Sequence, residues 1–101
     1  MKIVKNICYG GFSLTEAVYN ELELKWDGFG YISNEDLNIK SDNYHAYRSD
    51  KRLIAAIEKI GIKKSTAKFA NLTIVEIPDN IDYEISDYDG IETIHQVHQK
   101  W

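Results

Sequence analysis

From Phe69 to Ile77 two sets of apolar residues alternate, and the chain then meets its single proline, Pro78. Phe69, Thr73, Val75 and Ile77 share one strand face with Asn71, while Ala70, Leu72 and Ile74 share the other. A strand apolar on both faces needs cover on both. In a chain of 101 residues, few segments can supply that cover. The clearest is the segment after Ser49 or Asp50, either of which can cap a helix. Its stripe is Leu53, Ile57 and Ile60, flanked by Ile54 and Ala56, and Gly61 stands where a left-handed residue ends a helix.

Shorter signals complete the pattern. Ile3 to Cys8 reads as a strand that stops at Gly10-Gly11. Ser13-Leu14-Thr15-Glu16 has the form of a capping box, and Leu14, Ala17 and Val18 extend a helix to about Lys25. Residues 26–43 are polar and turn-rich. Tyr44 to Arg48 reads as a strand and residues 62–67 as a loop. Tyr83 to Asp87 alternates as an edge strand does, Tyr88-Asp89-Gly90 is a turn, and Ile91 to Val97 returns as its hairpin partner. Ile91, Ile94 and Val97 also fit one helical face; the Asp-Gly pair favours the strand. The expected order is β-α-β-α-β-β-β. This is an α+β domain spanning residues 1–101, with two helices packed on a mainly antiparallel sheet.

Composition narrows the setting. One cysteine, Cys8, excludes an intrachain disulfide and fits a reducing compartment. No apolar run approaches the roughly 20 residues that span a bilayer. The opening residues turn polar too soon for a secretory signal. A cytoplasmic location is expected. The net charge of −4 gives little pull toward DNA or anionic membranes. Charge is nonetheless segregated: residues 48–68 hold seven Lys or Arg against two acids, and residues 69–101 hold seven acids against Lys100.

Several groups invite chemistry. Tyr9-Gly10-Gly11-Phe12 falls between a strand and a helix start, where backbone N–H groups can meet an anion and the rings can stack on a base. It lacks the spacing of a Walker loop and of the dinucleotide fingerprint, and a tight turn explains the glycines as well. His95-x-x-His98 would share a metal only on a helix; on a strand the two rings diverge. No metal or cofactor is expected. The acids from Asp79 to Glu92 lack calcium-loop spacing and suit a solvated or partner-facing hairpin. Cys8 and His45 would form a nucleophile and base only if folding joins them. No catalytic set stands out. Arg48 and Arg52 are the only arginines, and guanidinium is the better fork for phosphate or carboxylate.

Three blocks carry a resemblance. They are Lys2-Ile3-Val4 with Cys8-Tyr9-Gly10-Gly11-Phe12-Ser13-Leu14; Arg48-Ser49-Asp50 with Leu53-Ile54; and Val75-Glu76-Ile77-Pro78-Asp79 with Tyr88-Asp89-Gly90-Ile91-Glu92, His98 and Trp101. Together they resemble a widespread set of small phage and prophage proteins, over about two-thirds of the chain. Residues 26–44 lie outside the likeness, and Lys51 and Thr93 stand where proline and tryptophan are common. The resemblance implies a phage accessory protein acting in the host cytoplasm, a class that often blocks host defence.

The first expectation is a non-catalytic protein that sequesters an anionic, nucleotide-like small molecule. Gly10, Gly11, Arg48 and Arg52 would hold phosphate, and Tyr9, Phe12 or Tyr88 would stack on the base. Asp89, His98 and Trp101 complete the candidate set through the resemblance, and a homo-oligomer would deepen the site. The alternatives are an inhibitor of a host defence protein that uses the acidic hairpin, and a small hydrolase built on His98 and Asp89.

Overall fold

In the computed structural model, residues 1–79 and 81–96 are described. Strand β1 (Lys2–Asn6) pairs antiparallel with β2 (Leu72–Glu76), with Val4 opposite Ile74. Both faces of β1 are covered: Ile3 and Val4 are fully buried, and Val4 joins the main core. Helix α2 (Lys51–Ile60) lies against β1. Its start follows the sequence logic, because the Asp50 carboxylate accepts from the Arg52 N–H at 2.8 Å. Leu53, Ile54, Ala56 and Ile57 form its buried face. Helix α1 (Glu16–Glu21) and the single turn α3 (Ile62–Ser65) pack beside α2. Val18, Tyr19, Leu14, Ile32 and Leu37 fill the space between them.

Strands β3 (Tyr83–Tyr88) and β4 (Ile91–Gln96) form a separate antiparallel hairpin. Asp89 at φ 52° and Gly90 at φ 96° make the two-residue turn with both residues left-handed, which matches the twist of the strands. The fold is α+β. Among the described residues no helix is long and apolar enough to cross a membrane.

The structure corrects several local expectations. The sheet is divided into two ribbons of two strands each. Residues 44–48 form no strand: Ala46–Ser49 is a 3-10 turn, because the Asn43 and Asn34 side chains accept from the His45 and Tyr47 N–H groups that a strand would offer to a neighbour. Residues 62–65 are helical rather than loop. Strand β2 is shorter than Phe69–Ile77, and Phe69 is 72% exposed. Within β2 only Leu72 is buried, and among the described residues β1 is the one strand paired with it. Helix α1 begins at Glu16 without a side-chain cap, so the Ser13 box does not form. The Ser13 carbonyl instead accepts from Ala67, and the Thr15 hydroxyl donates to the Lys64 carbonyl. The helix ends at Glu21, short of Lys25, because Glu23 turns left-handed at φ 58° and Trp26 folds back edge-on to Tyr19. Val97, His98 and Trp101 lie outside the described residues.

Candidate functional site

The 3-10 turn drives Arg48 inward, where only 2% of it is exposed. Its guanidinium meets Glu92 of β4 fork to fork, with Nη1 donating to Oε1 at 2.6 Å and Nη2 to Oε2 at 2.7 Å. The Phe12 ring lies 3.6 Å from the guanidinium carbon, and Tyr47 lies at 5.1 Å. Burial would lower the Arg48 pKa; the Glu92 carboxylate and Tyr47 together outweigh it and raise the value. Glu92 also accepts from the Asn6 N–H at 2.7 Å. The Asn6 amide in turn donates to the Cys8 and Gly90 carbonyls and accepts from the Asn71 N–H. The network therefore fastens the hairpin to β1 and to the start of α2.

The other expected ligand residues fall into two groups. Arg52 pairs with Asp50 and donates to the Leu37 carbonyl at 2.6 Å, so it ties α2 to the turn at Glu35–Leu37. Phe12 is the platform under Arg48. The β3–β4 turn does reach the glycine loop: the Gly90 backbone sits against Tyr9 and Gly11, and Tyr9 and Tyr88 are exposed. Gly10 is pressed against the Phe69 carbonyl, which fills the space a ligand would need there. The helix behind this loop has six residues and no side-chain cap. An anion here would find one guanidinium closed off by Glu92 and another engaged by Asp50.

Cys8 donates to the Phe69 carbonyl and to Asn6 Oδ1, and no hydrogen bond joins it to His45 among the described residues. His95 faces Glu84 across the hairpin at 3.4 Å. Among the described residues no group of three or more His, Cys, Asp or Glu is placed to hold a metal.

Asp82, Glu84, Asp87 and Asp89 all stay exposed on the hairpin. Beside it runs a groove of about 850 Å3, between residues 81–85 and residues 42–45. Asp42, Asp82 and Glu84 line it together with Tyr44, which is 87% exposed. Among the described residues its lining contains no lysine or arginine, and the one basic side chain is His45. Burial first, and then the Arg48 charge, hold the His45 pKa below its ordinary value of 6.5. The groove is therefore anionic at neutral pH.

No family model, curated protein or solved structure matches the chain.

Two elements of the site were missed in the sequence. Glu92 read as one acid in a run, yet it shares a strand face with Ile94, and that phase marks it as inward. Asp42 lies in a stretch with no period, and Tyr44 reads as the start of a strand rather than as a groove wall.

Proposed function

We propose that this chain is a non-catalytic binding protein that docks a basic protein partner on its acidic β3–β4 hairpin. The observation that carries the reading is the split in its charges. Arg48 is matched inside the fold by Glu92 and Arg52 is paired at the surface with Asp50, whereas Asp82, Glu84, Asp87 and Asp89 face solvent. Exposed charge of one sign steers association and selects partners of the other. Tyr88 and Tyr44 add exposed apolar area with polar tips beside those acids, which suits a protein interface. The likeness to phage accessory proteins supports a host defence factor as the partner.

The test is capture from host extract by immobilised protein, compared with a variant carrying Asp82→Asn, Glu84→Gln, Asp87→Asn and Asp89→Asn. Bound proteins are identified by mass spectrometry, and a nucleotide panel is titrated calorimetrically against the same two samples. Basic proteins retained by the wild type and lost by the variant support the reading. Equal capture by both, or tight nucleotide binding that ignores the four substitutions, overturns it.

A further inference from the structure

We infer that the outer edge of β3 receives an extended segment of the partner, bearing lysine or arginine, as an added strand. The inference rests on the hairpin reading above and specifies how that surface binds.

The two-residue turn fixes the phase of the ribbon. Tyr88 and Ile91 flank it as a hydrogen-bonded pair, so Ser86 and Glu84 also direct their backbone groups toward β4. Tyr83, Ile85 and Asp87 then direct theirs outward. Among the described residues no other strand pairs with β3, and no backbone hydrogen bond from another element reaches those three. An edge with free N–H and C=O groups is a template for a further strand.

The groove follows this edge. Its lining takes in three consecutive strand residues, Tyr83, Glu84 and Ile85, which alternate between the two faces of the ribbon, and the two residues that lead into them, Ile81 and Asp82. A cavity on one face would touch every second residue, whereas one along the edge touches them all. The opposite wall, residues 42–45, leaves a channel beside the strand.

Charge decides the occupant. Asp42, Asp82 and Glu84 line the channel, and Asp87 stands further along the same strand. A second copy pairing through this edge would set acid against acid, which opposes self-association. A cationic segment satisfies the same carboxylates, and the exposed Tyr44 ring offers a face for an ammonium or guanidinium.

The test titrates the full-length protein with N-acetylated, C-amidated eight-residue peptides that alternate Lys or Arg with Val, Thr or Tyr. Amide exchange and chemical shifts are read residue by residue. Strand addition slows exchange of the Tyr83, Ile85 and Asp87 amides by about tenfold or more, because their N–H groups gain partners. N-methylation of alternate peptide residues keeps the charge and removes the pairing, so it weakens binding by about tenfold or more. Asp42→Asn with Asp82→Asn and Glu84→Gln weakens binding and flattens its salt dependence.

Equal affinity of the methylated peptides overturns strand addition and leaves a charge-only hairpin contact. Protection of the same amides without peptide, rising with protein concentration, shows a second copy as the occupant. Failure of every peptide overturns the strand inference even where acid-dependent capture from extract persists. Failure of both removes the hairpin reading as well.

Discussion

Arg48 and Glu92 lie 44 residues apart in sequence and meet as a bidentate pair, each side chain 3% exposed. The pair joins two parts of the fold that share no sheet: the β1–β2 ribbon with its helices, and the β3–β4 hairpin. A buried charge in that position depends chiefly on its partner. The Phe12 and Tyr47 rings and the Val4 carbonyl also surround the guanidinium, and among the described residues Arg48 Nε has no hydrogen-bond partner.

Removing one member should therefore cost more than removing both. Glu92→Gln or Arg48→Met leaves a buried charge without its match, at a cost of about 3–5 kcal/mol. That is a large share of the roughly 5–15 kcal/mol that holds a small domain folded. The double variant Arg48→Met with Glu92→Leu should recover much of the loss. Urea midpoints report the three values, and faster amide exchange confined to β3 and β4 in Glu92→Gln would place the loss at the hairpin. Single-variant costs below about 1 kcal/mol would show that the pair does not fasten the ribbon.

Gly10 and Gly28 should respond very differently to alanine. A Cβ at Gly10 would fall 1.4 Å from the Phe69 carbonyl oxygen, which is backbone and cannot rotate away. At Gly28 the φ of +85° strains an L residue, but nothing lies within 4 Å of the added carbon. Gly28→Ala should cost about 1 kcal/mol, and Gly10→Ala about 3 kcal/mol or more, since β1 must part from the loop before β2. Thermal unfolding of the two variants side by side tests the order.

These elements differ in how plainly they were written in the sequence. Helix α2 was legible because Asp50, the stripe of Leu53, Ile57 and Ile60, and Gly61 all point to one answer. The hairpin was legible through Asp89-Gly90. Residues 44–48 were not, because Asn34 and Asn43, which cap their N–H groups, lie in a stretch with no period. For the site, Arg48 was singled out for its guanidinium, but nothing local shows that Glu92 would meet it from 44 residues away. The anionic groove needed the placement of Asp42 and Tyr44 beside β3, which only the fold provides.

Asp27 predicts the acid limb of stability. Burial pushes its carboxyl upward, but the N–H groups of Gly30, Phe29 and Tyr31 and the Tyr19 hydroxyl donate to it and hold it below the ordinary value. A folded value below the unfolded one means the unfolded chain binds more protons, so stability rises with pH across that window. The contribution is complete above the unfolded value of about 3.9 and is lost as pH falls through the lowered folded value. Asp27→Asn should reduce stability at neutral pH and flatten the fall below about pH 4. Urea midpoints across that range would refute the assignment if both proteins fall in parallel.

His45 sets a second window at higher pH and ties it to the groove. Its folded value lies below 6.5 because burial and the nearby Arg48 charge disfavour the imidazolium, against a smaller upward pull from Glu92 and Asp87. The unfolded chain again binds more protons, so the stability that neutral His45 permits is full above about pH 6.5 and is lost as pH falls through the lowered value. Protonation also adds a positive charge to a groove whose acids are Asp42, Asp82 and Glu84. A cationic peptide should therefore bind more weakly as His45 titrates, and His45→Gln should remove that step while leaving binding at pH 7.5 within about twofold. Ring-proton NMR gives the titration, and peptide affinity against pH gives the coupling. A His45 that titrates above 6.5, or a peptide affinity indifferent to its protonation, would separate the histidine from the groove.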